Sequence, residues 1–442
     1  MKKMTLFLLL LLSAFFAFNC SDDDNNTTDP ENSDDVCHDK KDNDGDGAID
    51  CDDAECNPFC ESEDTEPVLE WRTTWVASQQ LTETQNNPPD PPGLAENTLR
   101  QTIHITAGGE QIRFTISNEN GTTPLTITSA AAALSLGDGK IDPDTSHPLT
   151  FGGEESVTIE KGDLATSDAV EWEVDPFEDI AISLRFDAEP PVRVTGHPGS
   201  RTYSYLQEGD AVFDEEMPDA ARRDRWYFIS SADVMTDEAT RAVVTFGDSI
   251  TDGYGTTTDG NDRWPDHLAR RLHDNEATKN VAVLNQGVGG NCLTATCAGP
   301  AGDLRFDRDV LKPLGVEWVI ILIGINDLGN ISSITTEQMT DAYTEMAESA
   351  HTKDIMVIGG TIMPCEGHSY YDEELETIRQ EVNEWIRTTD VMDAVIDFDE
   401  IMRDPEAETK LQADLSNDWL HPSKDGYEYM ADAVDLTLFE AE

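Results

Sequence analysis

From Ala242 to the carboxyl end, short continuous apolar runs alternate with longer stretches whose apolar positions recur every third or fourth residue. The runs at 242–246, 281–284, 318–323, 355–358 and 394–398 predict strands, and 262–275, 336–352, 371–388 and 424–439 predict helices. Uninterrupted apolar strands between helices predict a parallel sheet covered on both faces, with active groups on loops beyond the carboxyl ends of its strands. Residues 67–237 keep a different rhythm. There, apolar and polar positions alternate at 102–106, 111–116, 125–128, 156–160 and 180–186, divided by glycine turns at Gly108-Gly109, Asn120-Gly121, Gly137, Gly139 and Gly152-Gly153. Period-two alternation broken in this way predicts a β-sandwich-like accessory domain. Its Trp71, Trp75 and Trp172 either fill that core or form a platform for stacking sugars.

Ahead of these regions, Lys2 and Lys3 precede an apolar run from Met4 to Phe18, the layout of a secretory signal. The run is shorter than the about 20 apolar residues that a membrane span needs. It closes on Asn19 and Cys20, followed by Ser21 and three aspartates, and so resembles a bacterial lipoprotein signal over residues 1–20. The resemblance implies that Cys20 is lipidated and becomes the mature amino terminus. It also implies an exported protein, anchored to the bacterial cell envelope or outer membrane, or otherwise secreted. Asn19 departs from the small residue such signals carry at that place. No later segment is apolar enough to span a bilayer, so any membrane link runs through the lipid alone.

Residues 21–66 read as an acidic, cysteine-rich linker. Asp42, Asp44, Asp46, Asp50 and Asp53 alternate with glycines and small residues, as oxygen ligands wrapped around a calcium ion require. The segment resembles the calcium-binding repeats of thrombospondin type 3, which implies a structural calcium. The plainer reading is a solvated acidic spacer. Cys37, Cys51, Cys56 and Cys60 fit two disulfides in any of three pairings, giving a stiffened stalk.

Charge narrows the partners. The chain carries 90 acidic and 29 basic side chains, a formal net charge of −61. Without the first 66 residues, 71 acids still face 25 bases. Such a surface excludes nucleic-acid and anionic-lipid binding, which need clustered Lys and Arg. It suits salty surroundings, where counterions screen self-repulsion.

The chemistry sits after the strands of the second region. The first ends in Gly247-Asp248-Ser249-Ile250, a serine on a tight turn into a helix. This is not the Gly-x-Ser-x-Gly elbow of the α/β-hydrolases. The second ends in a glycine-rich stretch, Gly287 to Asn291, where bare backbone can approach a ligand. The third ends in Gly324-Ile325-Asn326-Asp327, offering a side-chain amide. Near the carboxyl end, Asp418 and His421 stand three residues apart. Each piece alone is an ordinary turn or cap, but in this order the set resembles the SGNH, or GDSL, hydrolases over residues 238–442. The resemblance implies a three-layer α/β/α, flavodoxin-like domain around a five-stranded parallel sheet. It implies Ser249 as nucleophile, His421 and Asp418 as the rest of a triad, and an oxyanion hole from Ser249, Gly290 and Asn326. Gly287 and Gly289 compete with Gly290, which is preferred because it precedes the polar Asn291. Such chemistry needs no cofactor.

Arg263 and Trp264, with the β-rich region ahead of them, resemble the subfamily of arylesterases and acylhydrolases linked to xylan breakdown. That implies a substrate-binding role for both residues and an O-deacetylase of polysaccharide or oligosaccharide. A short-chain lipid or aryl ester acylhydrolase is the alternative enzyme, and a calcium-dependent surface carbohydrate-binding protein the alternative without catalysis. Asp248 and Asp327 read as structural hydrogen-bonders, and the loop 364–371 as a candidate cleft wall. His267, His273, His351 and His368 have no partner motif and default to the surface. Cys292 and Cys297 either close a small disulfide or stay as free thiols.

Overall fold

The computed structural model describes residues 68–440, and these form one compact unit. The signal, Cys20 and the five linker aspartates lie outside the described residues.

The carboxyl-terminal half is an α/β fold on five parallel strands, in the spatial order Val281–Gly287, Arg241–Gly247, Val316–Leu322, Met356–Gly360 and Ala394–Ile396. In chain order this is 2-1-3-4-5, the flavodoxin-like winding, and its switch point lies beside the first strand. The first three strands end level with one another, because Gly247 pairs with Gly287 on one side and Leu322 on the other. Three loops therefore leave the sheet at one height. Helices fall into two groups: Trp264–His273 packs on Lys424–Asp432, while Thr336–His351 packs on Gly302–Asp309 and Glu373–Thr388. The core between them is nearly all aliphatic and aromatic, with Val243, Phe246, Val319, Ile321 and Trp264 fully buried.

Two expected elements end early, each at an aspartate. The strand at 394–398 stops at Ile396, because the Asp397 side chain accepts the Glu400 N–H and opens a short helix at Phe398–Met402. The helix expected over 424–439 stops at Asp432, and Asp435 caps a separate 3-10 turn at Leu436–Phe439.

The β-rich half holds three antiparallel sheets, of five, eight and three strands, and the two larger ones share one apolar cluster, including Leu99, Ile112, Phe114, Ile182 and Phe228. Its longest strand, Leu125–Gly137, runs through four alanines. Alanine favours helix, yet Ala130–Ala133 pairs along its whole length with Ala181–Leu184, and Ala133 packs with Ala181 and Ile141. Trp75 and Trp172 are buried in this half, and Trp71 lies under the Arg113 guanidinium at 4.2 Å, so no tryptophan platform forms.

The halves are joined along the edge of the parallel sheet. Thr106 Oγ1 donates to Val283 O at 3.2 Å and accepts Val283 N–H at 3.1 Å. Thr73 N–H donates to Leu314 O at 3.1 Å, while Leu314 N–H returns a bond to Thr73 Oγ1 at 2.8 Å. The Thr106 contacts satisfy backbone groups of the edge strand Val281–Gly287 that would otherwise be open, and the Thr73 contacts fix the turn ahead of the central strand Val316–Leu322. Among the described residues, no helix is long and apolar enough to cross a membrane.

Candidate active site

Ser249 opens a four-residue helix, Ser249–Asp252, directly after the first strand. The turn is tight for two reasons. Asp248 accepts the Ile250 N–H at 3.0 Å as N-cap, and a Cβ on Gly247 would fall 2.2 Å from Thr251 Oγ1. The Ser249 N–H, first in its helix, has no intrahelical acceptor. Burial pushes the Asp248 carboxyl up to about 7, the neighbouring Asp327 adding to the shift against the Ile250 hydrogen bond.

Across the cleft, Ser249 Oγ donates to His421 Nε2 at 2.8 Å, and His421 Nδ1 donates to Asp418 Oδ2 at 2.8 Å. The other Asp418 oxygen accepts the backbone N–H groups of His421 at 2.7 Å and Leu420 at 3.0 Å. This fold-back needs Trp419 at a positive φ of 65°. Burial lowers the affinity of His421 for a proton. His368 and Arg201 lower it further, and Asp418 only partly offsets them, so the ring sits below its ordinary pKa. For Asp418, burial works upward, but the hydrogen bonds from His421 and Leu420 outweigh it and hold the carboxyl below its usual range.

The glycine-rich loop separates its glycines by task. A Cβ on Gly287 would meet Asp252 N at 2.2 Å, so that glycine serves close packing against the Ser249 helix. Gly290 has φ +74°, and a Cβ there would meet only Ala298 within 4 Å. Asn326, buried at the end of the third strand, donates one Nδ2 hydrogen to Asn291 O at 3.0 Å, leaving its second for a ligand. Its Oδ1 accepts the Tyr370 hydroxyl at 3.4 Å. Asp327 ties down the loop beyond Gly290, accepting Leu293 N–H at 2.6 Å, Thr294 N–H at 2.9 Å and Thr294 Oγ1 at 2.7 Å. The Cys292–Cys297 disulfide closes that loop, while Cys365 is a buried free thiol that burial pushes up to about 11.

Arg263 and Trp264 do not line this cleft, which corrects their expected substrate-binding role. Arg263 starts the helix Trp264–His273: its Nε and backbone N–H both donate to Asp266 Oδ2, at 2.7 and 2.9 Å. Trp264 is fully buried beside Phe398. Other residues, without a local signal in the chain, take places at the site. The Tyr254 ring lies 4.2 Å from the His421 ring, half-exposed, and Arg201 from the β-rich half lies over Tyr254 at 5.6 Å. His368 and Tyr370, on the loop expected to wall the cleft, approach His421 and Asn326. His351 instead pairs with Asp393 at 2.9 Å.

One buried group ties the loops together. Arg305 donates to Gly247 O at 2.7 Å, Gln286 O at 2.9 Å, Asn291 Oδ1 at 2.9 Å and Asp309 Oδ2 at 2.8 Å. Ser78 of the β-rich half donates to the same Asp309 oxygen at 2.5 Å. Among the described residues, no cluster of three or more His, Cys, Asp or Glu is placed to hold a metal ion.

A serine hydrogen-bonded to an imidazole, the imidazole to a carboxylate, and N–H donors opposite form an arrangement that can transfer acyl groups. Residues 245–429 match the GDSL-like Lipase/Acylhydrolase family. None of the curated proteins matches the chain. Among solved structures, the chain is similar to a GDSL-like lipase from Bacteroides thetaiotaomicron VPI-5482, at 21% identity over 44% of this chain and 85% of that one, with a TM-score of 0.33. A member of the lipolytic protein G-D-S-L family from Veillonella parvula DSM 2008 is 20% identical over 44% of this chain and 95% of that one, with a TM-score of 0.32. A carbohydrate acetylesterase from Sinorhizobium meliloti is 15% identical over 44% of this chain and 95% of that one, with a TM-score of 0.33.

Proposed function

We propose that this carboxylic ester hydrolase, which carries a GDSL-like domain, is an exported serine esterase that removes acyl groups, acetyl above all, from polysaccharide or oligosaccharide. The observation that carries the mechanism is the unbroken run of hydrogen bonds from Ser249 Oγ through His421 to Asp418, each 2.8 Å long. His421 Nε2 takes the Ser249 proton as Oγ attacks the ester carbonyl. Asp418 holds the ring in the tautomer with its proton on Nδ1 and stabilises the imidazolium that forms. The N–H groups of Ser249 and Gly290 and the Asn326 amide receive the oxyanion. His421 then gives its proton to the leaving alkoxide, releasing the alcohol and leaving Ser249 acylated. Water, deprotonated by the same ring, attacks the acyl-enzyme and releases the carboxylic acid. The balance is one ester and one water to one alcohol and one acid.

Export, a lipid on Cys20 and a structural calcium held by Asp42, Asp44, Asp46, Asp50 and Asp53 belong to the same proposal, and rest on the sequence of residues 1–66. A second reading, an aryl or short-chain ester acylhydrolase, draws support from Tyr254, whose half-exposed ring beside His421 offers a flat apolar face.

The test measures acetate release from acetylated xylan and hydrolysis of 4-nitrophenyl acetate, with Ser249→Ala alongside. Loss of both activities in a folded variant is the expected result. Turnover retained in Ser249→Ala refutes the nucleophile. Aryl ester hydrolysis without release from xylan favours the second reading.

A further inference from the structure

The β-rich half contributes to a cavity of about 240 Å³ beside the glycine-rich loop. Val288, Gly289 and Ala298 form one wall. Gln80, Glu83, Gln85 and Asn86 of the β-rich half form another. Between them lie His197, Arg201 and Asp252. Asp252 ends the four-residue helix that Ser249 begins, so the cavity lies about one helical turn from the nucleophile, and Gly289 in its wall precedes Gly290.

These polar groups are held in place. His197 lies between two acceptors, its Nε2 2.9 Å from Asp252 Oδ1 and its Nδ1 2.8 Å from Ser78 O. Arg201 Nη2 donates to the other Asp252 oxygen at 3.3 Å. Glu83 accepts Gln80 Nε2 at 2.9 Å and Asn86 Nδ2 at 2.8 Å, one on each oxygen. Arg201 itself is unusual twice over. It holds a positive φ of 51°, which a long side chain adopts only when its surroundings force it. Its Nε is buried with no acceptor among the described residues.

The geometry points to a subsite for a neutral sugar residue, the alcohol half of the ester, built by the β-rich half against the Ser249 helix. Four considerations lead there, resting on the esterase reading above. The leaving oxygen must lie beside His421, which returns its proton. Arg201 reaches that ring through one intermediary, Tyr254, which touches both. Glu83 and Asp252 face the cavity against a single guanidinium, which disfavours an anionic ligand, and Arg201 with its unpaired Nε disfavours a cationic one. An acyl chain would leave Arg201 Nε without a partner, whereas a sugar hydroxyl accepts from it, and a second hydroxyl can donate to a lone pair that the two amides leave open on Glu83. The volume falls below the about 300–1,000 Å³ of sites that hold larger ligands, which limits the occupant to about one ring.

Glu83→Ala and Arg201→Lys test the subsite in the full-length protein, by kcat and KM on acetylated xylo-oligosaccharide and on 4-nitrophenyl acetate. Each variant is expected to lower kcat/KM for the oligosaccharide about tenfold, mainly through KM, with a much smaller fall for the aryl ester. Equal falls on both substrates would assign these residues a merely structural role and overturn the subsite, as would no fall on either. Calorimetric binding of the oligosaccharide to Ser249→Ala protein separates the two readings. Binding that Glu83→Ala weakens supports the subsite even if Ser249 proves not to be the nucleophile. No binding, with aryl ester hydrolysis intact in the parent protein, overturns the subsite and leaves the triad standing.

Discussion

In the proposed mechanism Asn326→Ala removes one of three donors for the oxyanion, and its cost can be bounded from its bonds. One Nδ2 hydrogen holds Asn291 O and the other is free, so the variant loses the catalytic bond together with one structural one. Loss of a single oxyanion donor costs about 10²–10³ in kcat, or about 2.7–4 kcal/mol, with KM nearly constant because the bond is made in the transition state. Tyr370 acts on the same amide only by orienting it, and does so across 3.4 Å. A neutral hydrogen bond contributes about 0.5–1.5 kcal/mol, and so long a bond belongs at the low end, which is about a twofold fall in kcat for Tyr370→Phe. The two effects share one pathway, so they must not add. In the Asn326→Ala background, Tyr370→Phe should change nothing, and the coupling energy should equal the whole Tyr370 effect. Steady-state hydrolysis of 4-nitrophenyl acetate by the four proteins of the cycle, with circular dichroism to verify folding, decides it. An Asn326→Ala protein within tenfold of the parent kcat refutes the donor role. A Tyr370→Phe effect that survives the loss of Asn326 refutes the orienting role.

Three further outcomes are expected. His421 must be neutral to act as base, and burial with His368 and Arg201 holds its pKa below the usual 6.5, so kcat/KM should stay high at neutral pH and fall only as pH drops below that value. An acid limb at or above pH 7 would contradict this. Arg305→Met should cost about 3–5 kcal/mol in urea unfolding, because it leaves the carbonyls of Gly247 and Gln286 and the Asn291 amide oxygen short of their buried donor; a loss under about 1 kcal/mol would mean that water replaces the guanidinium. With a net charge of −61, the melting temperature should rise with NaCl as screening relieves self-repulsion, and a fall would exclude that account.

The parallel sheet was legible because its strands are short and apolar without interruption, while the segments between them are longer and repeat every three to four residues. The candidate site groups lie where the chain order put them, just beyond strand ends: Ser249 after the first strand, Gly290 in the loop after the second and Asn326 after the third. Arg263 and Trp264 were misread for an instructive reason. An exposed-looking Arg-Trp-Pro-Asp stretch is also a helix start, with proline in the first turn and an acid positioned to fold back on the backbone N–H of Arg263, and that is how it is used. The alanine run at 130–133 was hidden by propensity, since strand pairing on a neighbour about fifty residues away decides its state. His197 and Asp252 were beyond reach of any local pattern. They are 55 residues apart in different halves of the chain and meet only because the strand Thr195–His197 docks beside the Ser249 helix.

Arg305 shows how the two halves become one machine. Burying a guanidinium costs several kcal/mol, and replacing a whole buried ion pair, partner included, by packed apolar side chains is often no less stable. What apolar chains cannot do is hold two strand ends and the glycine-rich loop at fixed separations. The rigid fork reads Gly247 O beside the nucleophile, Gln286 O ahead of the glycine-rich loop, and the Asn291 side chain within it. A displacement of about 1 Å between nucleophile and oxyanion donors can cost about 10² in rate, so a fixed spacing there matters more than the stability lost in making it. Asp309 aims the fork, and Ser78, from the β-rich half, donates to Asp309. The Ser78 carbonyl oxygen also lies 2.8 Å from His197 Nδ1, and His197 Nε2 lies 2.9 Å from Asp252 Oδ1. A single residue of the β-rich half thus bonds to the support of the oxyanion loop on one side and to the floor of the cavity beside Ser249 on the other. A chain built this way cannot loosen the contact between its halves without disturbing both ends of the site at once.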